Sequence, residues 1–239
     1  MPIQNTIKIS RSGLNLFLQC PRCFWLDLRH KIKRPPSFPY TLASAVDYLV
    51  KQEFDKYRVK GELPPIFIGE KLSAKLFQGS QLSAWRDNKR GIQYFDEDLN
   101  AMLYGAVDDV LEFSDGSLAV IDYKSTGSRE IRIYDDYQRQ MDIYTFLLSK
   151  NGYQTQSNAY FVYYLVQKDG GGFKNALPFK EELRAITVNP DWVASSFEQA
   201  VNVARQDSPP LIPPAGGHCD HCHYVEMASQ HKIAEDINI

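Results

Sequence analysis

The chain has 239 residues, of which 44% are hydrophobic and 23% are charged, and its formal net charge is −2. These values are typical of a globular domain with a buried core, and they exclude a strongly basic protein that coats nucleic acid by charge alone. No apolar run reaches the roughly 20 residues that cross a bilayer, and no secretion signal begins the chain. We therefore expect a cytoplasmic protein without a membrane partner, whose four cysteines stay reduced.

Helical patterns occupy the first part of the chain. A first helix is expected over residues 10–20, where Ser10 can cap the N-terminus. A polar, proline-rich connector covers residues 21–39, and a second helix covers residues 41–59. The apolar stripe of this second helix contains Leu42, Val46, Leu49, Val50, Phe54 and Tyr57. Residues 73–85 favour a further helix.

A β-hairpin is predicted in the middle of the sequence. One strand covers residues 103–113, a turn covers residues 114–117, and the second strand covers residues 118–124. The first four residues of the second strand are continuously apolar, which is typical of a strand that is covered on both faces.

The second half alternates between helix and strand patterns. A helix is expected over 135–150, strands over 159–166 and 183–188, and a helix over 190–205. A glycine-rich turn at 169–172, a proline-rich linker at 209–214 and a tail rich in cysteine and histidine complete the chain. This order predicts the α/β class, with a mixed sheet core flanked by helices.

Two carboxylates and a lysine stand out on the predicted hairpin. Asp122 and Lys124 are two residues apart on one strand and therefore share a face, to which the pairing of the strands can bring Asp108. The two carboxylates and the backbone carbonyl of Tyr123 can hold Mg²⁺ or Mn²⁺, while Lys124 can assist phosphodiester hydrolysis. The alternative is an ordinary surface ion pair between Asp122 and Lys124.

The same region resembles a known family. The runs Gly105–Asp109 and Val120–Ser125, followed by Gln140 and Tyr144, resemble the RecB-type branch of the PD-(D/E)xK nuclease superfamily. That branch shows Gly-x-x-Asp, then Asp-Tyr-Lys-Ser, then a helix with Gln-x-x-x-Tyr. The resemblance implies a restriction-endonuclease-like core, with Asp108 and Asp122 as metal ligands and Lys124 as the catalytic lysine. It also implies that Gln140 and Tyr144 line the site or contact the nucleic-acid backbone, and packing against the sheet is the alternative for this pair.

The family also places a ligand, usually His or Glu, on the helix before the hairpin. The matching position here is Asp47. Glu53 is a rival, because its helical position falls near the middle of the apolar stripe, where a carboxylate needs a partner or a metal. For either acid, an ion pair with an arginine is the alternative.

All four cysteines occur in two Cys-x-x-Cys pairs, Cys20 with Cys23 and Cys219 with Cys222. Such pairs predict a shared metal centre, which would be Zn²⁺ or a 4Fe–4S cluster. CRISPR-associated RecB-like exonucleases join one N-terminal and three C-terminal cysteines around such a cluster, and by this resemblance the cluster is slightly favoured. Here Ala228 stands near the position of the last tail cysteine, which Cys23 would replace. Additional zinc ligands could come from His218, His221 and His223.

Together these patterns predict a single nuclease-like domain over 1–239. Its core spans 40–206, and the segments 10–39 and 208–239 form the Cys-4 site. The predicted function is hydrolysis of DNA with Mg²⁺ or Mn²⁺, on single-stranded or frayed ends as the resemblance implies. The resemblance further implies a DNA-repair helicase or CRISPR-type protein partner. The alternative is a catalytically inactive module of the same fold that binds nucleic acid or a partner and is stapled by zinc.

Overall fold

The computed structural model of the chain describes residues 6–35, 41–70, 72–169, 171–212 and 219–230. Its helices are α1 (Arg11–Gln19), α2 (Pro21–His30), α3 (Thr41–Lys60), α4 (Pro65–Ile68), α5 (Leu82–Trp85), α6 (Asp135–Lys150), α7 (Asp191–Ala204) and α8 (Asp220–Gln230). Its strands are β1 (Ile7–Ser10), β2 (Ala74–Leu76), β3 (Ile92–Asp96), β4 (Ala101–Gly105), β5 (Asp109–Phe113), β6 (Leu118–Thr126), β7 (Asn158–Val166) and β8 (Phe179–Thr187).

The strands form two sheets. The larger sheet has the order β2-β5-β6-β7-β8, in which β6 and β7 are parallel and the other neighbours are antiparallel. The smaller sheet has the order β1-β4-β3. This arrangement confirms the predicted α/β class with a mixed sheet and flanking helices.

Strand β6 separates two hydrophobic clusters. Val120 belongs to the cluster that contains helix α6, and Ile121 belongs to the cluster that contains Val50 and Phe54 of helix α3. Residues 118–121 are all buried, as their continuous apolar run predicted. Because helices cover both faces, the polar side chains at the end of β6 project from a rigid, fully packed strand.

The predicted first strand of the hairpin is wrong in one respect. Residues 103–113 do not form one strand, because β4 lies in the small sheet and β5 lies in the large sheet. Asp108 lies in the connection between them, immediately before β5. Residues in and just after helix α5 hold this connection in place. The backbone N–H of Val107 donates to the carbonyl of Trp85 at 3.1 Å, and the side chain of Arg86 donates to the carbonyl of Asp108 at 2.8 Å.

Two further expectations are wrong. Residues 21–30 form helix α2 rather than a connector, because Cys20 caps it through its sulfur and Pro21 occupies its first position. Residues 73–85 do not form one helix, since Ala74–Leu76 pairs with β5 and only Leu82–Trp85 is helical.

The other predicted elements are present, apart from some differences in their bounds, whereas β1, β3, α4 and α8 were not predicted. Helices α3 and α6 begin where they were predicted, and β8 begins four residues earlier than predicted. Leu42 and Leu49 do not join the buried stripe of α3, because their side chains are 59% and 60% exposed. Gly170 of the predicted turn, residues 36–39 of the connector and residues 213–214 of the linker lie outside the described residues. Within the described ranges, no helix is long and apolar enough to cross a membrane.

Candidate functional site

One cavity of about 670 Å³ brings the predicted site residues together. It opens between the N-terminal half of α3, the end of β6 and the first turns of α6. Its lining includes Asp47, Asp108, Asp122, Tyr123, Lys124, Gln140 and Tyr144. Residues that are up to 97 positions apart in the sequence therefore meet at the end of the central strand.

Asp108 and Asp47 share one ammonium group on the α3 side of the cavity. Lys51 Nζ lies 2.7 Å from Asp108 Oδ1 and 2.8 Å from Asp47 Oδ2. The other oxygen of Asp108 accepts a hydrogen bond from the backbone N–H of Tyr123 at 3.0 Å. Asp108 is thus tied to β6 as well as to α3.

Asp122 and Lys124 form a contact pair at the end of β6. Lys124 Nζ lies 2.6 Å from Asp122 Oδ2, and the side-chain amide of Gln140 donates to Asp122 Oδ1 at 2.6 Å. Lys124 also donates to the Gln140 oxygen at 3.4 Å. These contacts join the strand and helix α6 into one polar cluster, and Asp122 and Lys124 share a face as their period-2 spacing predicted.

The acidic and basic side chains of the site have shifted pKa values. Burial, followed by the negative charge of Asp108, raises the pKa of Asp122 to about 7. Burial, followed by the charge of Asp108, also raises the pKa of Asp47. Burial alone would lower the pKa of Lys124, but the carboxylate of Asp122 outweighs it, and the pKa is raised. The carboxylates repel one another, which favours a cation between them.

The donor set fits a hard divalent cation. Asp122 Oδ2 is buried, and its partner is the ammonium of Lys124 at 2.6 Å, which a cation would have to share or replace. The Lys51 ammonium between Asp47 and Asp108 shows that these two carboxylates accommodate a positive charge. Carboxylate oxygens are the ligands that Mg²⁺ and Mn²⁺ prefer. The carbonyl of Tyr123 stays a predicted ligand.

Tyr144 lies at the back of the cavity and packs against the small sheet. It is buried, and its hydroxyl accepts a long 3.5 Å contact from the amide of Gln140. A Cβ atom on Gly105 would lie only 2.7 Å from the Tyr144 ring. The glycine of the Gly-x-x-Asp run therefore gives Tyr144 its space, so that Tyr144 both packs and lines the site.

The rival carboxylate on α3 lies elsewhere. Glu53 is exposed, and the expectation that it faces the core is wrong because α3 buries only Val50 and Phe54. Asp47, six residues earlier on the same helix, lines the cavity. Its ion-pair partner is a lysine and not the arginine that was considered as the alternative.

Among the contacts of the site that were not predicted are those of Lys51 and Tyr137. Lys51 was not singled out, although its i, i+4 spacing from Asp47 on a helix is a usable signal. The ring of Tyr137 lies 4.6 Å from Lys124 Nζ, measured to the ring centroid. Tyr137 precedes Gln140 by three residues, hence it lies on the same face of α6 and helps to place the lysine.

The four cysteines form a second polar centre remote in sequence from the first. All four are buried and free, and their sulfur atoms lie within 4.8 Å of one another. Cys20 and Cys222 approach to 3.7 Å, and Cys23 approaches Cys219 at 3.6 Å and Cys222 at 3.4 Å. A set of four thiols with this spacing can hold a metal ion.

The two pairs have the same local geometry. The backbone N–H of Cys23 donates to the sulfur of Cys20, and that of Cys222 donates to the sulfur of Cys219, both at 3.4 Å. Arg34 donates to the sulfur of Cys219 at 3.3 Å. Burial would raise the pKa of Cys219, but hydrogen bonds led by that from the Cys222 backbone lower it to about 7. This favours the thiolate, the form that binds metals.

The histidines of the tail take no part in this cluster within the described residues. His221 and His223 lie on helix α8 but do not belong to the group of four sulfurs. His218 lies outside the described residues. Ala228 is on α8 six residues after Cys222, and Cys23 is the fourth member of the cluster.

Comparisons with known proteins identify the family of the chain. The family model of the PD-(D/E)XK nuclease superfamily matches residues 33–227. No curated protein matches the chain. A solved structure, "Crystal structure of SSO0001", is similar with a TM-score of 0.39 and 15% sequence identity, over 87% of this chain and 80% of that chain. Because the family model covers most of the sequence, including Asp47, Asp108, Asp122 and Lys124 of the carboxylate cavity, the chain belongs to the PD-(D/E)XK nuclease superfamily.

Proposed function

We propose that the chain is a nuclease that hydrolyses DNA with Mg²⁺ or Mn²⁺. The observation that carries this proposal is the convergence of Asp47, Asp108 and Asp122 with Lys124 in one cavity. A surface salt bridge would not need two further carboxylates or a buried, raised-pKa aspartate. Proteins of this superfamily are typically metal-dependent nucleases, and the carboxylate cavity provides the parts that such chemistry requires.

The three aspartates would hold the cation, with the carbonyl of Tyr123 as a further ligand. A bound divalent cation supplies an acidified water and neutralises charge at the phosphate. The ammonium of Lys124 stabilises the negative charge that develops on the phosphate oxygens. Gln140 fixes the orientation of Asp122 through its 2.6 Å hydrogen bond, and Tyr137 limits the movement of Lys124.

The order of the motifs favours the RecB-type branch within the superfamily. Gly105 precedes Asp108, and the pair Asp122 and Lys124 precedes Gln140 and Tyr144, as in that branch. The ring of Tyr144 also lies so close to Gly105 that a side chain at position 105 would clash with it. This contact explains why a glycine in the first motif accompanies a tyrosine in the last. We infer an action on single-stranded or frayed DNA ends, since this is what the RecB-type resemblance implies.

The test is cleavage of labelled single-stranded and double-stranded DNA in the presence of Mn²⁺ or Mg²⁺. The wild type should cut, and Asp122→Ala and Lys124→Ala should each reduce the rate by roughly 100-fold or more, as loss of a transition-state contact does. Asp115→Ala is a matched control, because Asp115 lies in the turn between β5 and β6 at the far end of the strand. It should cut like the wild type.

The alternative is a module of the same fold that binds nucleic acid without cutting it. It would be favoured by a wild type that binds DNA, binds Mn²⁺ and leaves all substrates intact. In that case the aspartate at position 47 would be the first residue to exchange, and Asp47→His would be tested for a gain of cleavage.

For the four cysteines, we infer a single tetrahedral ion, and Zn²⁺ in particular. Four thiolates about 2.3 Å from one ion lie about 3.8 Å apart, and the observed sulfur contacts are 3.4–3.7 Å. In a 4Fe–4S cluster each thiolate binds its own iron, which separates the sulfurs further. The matching hydrogen bonds in the two Cys-x-x-Cys pairs also favour two equivalent halves around one ion.

Metal analysis of protein purified without oxygen tests this inference. One zinc per chain, without visible charge-transfer absorption, is the expected result. Four irons per chain together with that absorption would overturn the zinc inference and would instead indicate a 4Fe–4S cluster. Cys20→Ser and Cys222→Ser should each lose the zinc, since the two pairs contribute equally to the tetrahedron.

A further inference from the structure

A second lysine is bound to the carboxylates of the cavity. Lys51 Nζ contacts Asp108 Oδ1 at 2.7 Å and Asp47 Oδ2 at 2.8 Å, whereas Lys124 contacts Asp122. The three carboxylates therefore contact two ammonium groups. Lys51 thus bridges two of the three acids that the proposed function takes as metal ligands.

The backbone of Lys51 cannot easily withdraw from this position. It follows Asp47 by four residues on α3, and the same helix is anchored by the buried side chains of Val50 and Phe54. The side chain of Lys51 is 25% exposed, and that of Asp108 is 21% exposed. Their ion pair is thus partly shielded from water and stronger than a surface pair.

The oxygens that contact Lys51 are the ones a cation would need. Asp108 Oδ2 is already used by the backbone N–H of Tyr123, which leaves Oδ1. That oxygen and Asp47 Oδ2 are both in contact with Lys51 Nζ. A lysine ammonium is charged at neutral pH, so these two contacts are ion pairs.

We propose that Lys51 is an internal counter-ion of the metal site, whose ammonium competes with the divalent cation for Asp47 and Asp108. The inference rests on the proposed function, because it takes these carboxylates as metal ligands. Without a divalent cation, Lys51 keeps the two aspartates together against their mutual repulsion. Binding of the cation requires the ammonium to move away, which weakens metal binding. Lys51 is accordingly a positioning residue of the site.

The test is a titration of the full chain with Mn²⁺. The concentration of free Mn²⁺ is read from its electron paramagnetic resonance signal, which gives the dissociation constant. Lys51→Met removes the charge and keeps the length of the side chain, and we expect it to bind Mn²⁺ about tenfold more tightly than the wild type. Lys51→Arg keeps the charge and should bind like the wild type. Lys56→Met is the matched control, because Lys56 is exposed on the same helix and its exchange removes an equal charge.

The direction of the change separates the proposal from structural damage, which would weaken binding. Unchanged or weaker Mn²⁺ binding by Lys51→Met, together with loss of binding by Asp122→Ala, overturns the counter-ion and leaves the metal site intact. Equal Mn²⁺ binding by the wild type and by Asp122→Ala overturns the metal site itself, and with it the proposed function. If Lys51→Met does not fold, Lys51→Gln takes its place in the same comparison.

Discussion

Gln140 donates a 2.6 Å hydrogen bond to Asp122, and through it helix α6 holds the acid at the end of the central strand. The two residues are 18 positions apart and both are buried. Helix α6 and strand β6 therefore position the carboxylate together. A substitution that removes the Gln140 amide should consequently change the affinity of the site for a metal ion.

Replacement of Gln140 by Leu should lower metal affinity and cleavage. Without the amide, Asp122 loses the partner that fixes its orientation, and such partners typically contribute 10–100-fold in metal affinity or activity. A Mn²⁺ titration of the cleavage rate gives both quantities. Thermal unfolding of the same variant serves as the control, and wild-type values of affinity and rate would contradict the prediction.

The stability of the protein freed of Mg²⁺ and Mn²⁺ should depend on pH through Asp122. Burial, and then the charge of Asp108, raises the pKa of this acid from 3.8 to about 7. Between those values the folded chain keeps a proton that the unfolded chain has released, so the free energy of unfolding falls as pH rises. The contribution is complete below about pH 4 and is lost above about pH 7.

Asp122→Asn does not titrate and is the matched comparison. The difference in free energy of unfolding between variant and wild type should grow by about 1–4 kcal/mol from pH 4 to pH 8 in favour of the variant. Urea unfolding at several pH values measures it. Parallel pH profiles for the two proteins would show that Asp122 is not perturbed in this way.

Asp109 should be essential for folding. Its side chain is fully buried, and it accepts hydrogen bonds from Arg58, Arg86 and Tyr123 at 2.6–2.8 Å. Asp109→Ala leaves two arginines with one buried partner fewer, and we expect a loss of about 3–5 kcal/mol in the free energy of unfolding.

Asp55 provides the control for this prediction. It pairs with the same two arginines, but its side chain is 47% exposed. Asp55→Ala should therefore cost less than about 1 kcal/mol. Equal losses for the two variants in urea unfolding would show that burial of Asp109 does not determine the effect.

Gly105→Ala should disturb Tyr144. The added methyl group would lie 2.7 Å from the tyrosine ring, so the ring or the strand must shift, at a cost of about 1–3 kcal/mol. Gly69→Ala is the control, since nothing lies within 4 Å of its Cβ position. In combination with Tyr144→Leu the cost should shrink, and a double-mutant cycle in urea measures this coupling. Additive costs would contradict a direct clash.

Local patterns predicted the parts of the site that lie on regular elements. Asp122 and Lys124 share a face because strand spacing is two, and Gln140 and Tyr144 share a face because they lie one helical turn apart. The strand break before Asp108 was not predictable in the same way. Apolar residues stand on both sides of Asp108 and Asp109. The break itself depends on the hydrogen bond that Val107 N–H donates to the carbonyl of Trp85 and on the one that Arg86 donates to the carbonyl of Asp108.

The N-terminal region shows a different cause of error. Polar residues and later prolines suggested a connector over 21–30, but the Cys20-Pro21 pair is a good start for a helix. The exposed Leu42 and Leu49 show the reverse case. Their period fits a buried stripe, yet which face of α3 is covered depends on strands far along the chain. The role of Lys51 could not be predicted from its own helix, because one of its two partners, Asp108, lies 57 residues later in the sequence.

The cluster of four thiols also bears on the order in which the chain folds. Cys23 and Cys219 are 196 positions apart and lie 3.6 Å from each other. Contacts at such a separation close a very long loop and form late, because the loss of chain entropy must first be offset by packing. During synthesis, Cys20 and Cys23 emerge from the ribosome long before their two partners. The two thiols of this segment therefore stay without their partners Cys219 and Cys222 until almost the whole domain has been synthesised.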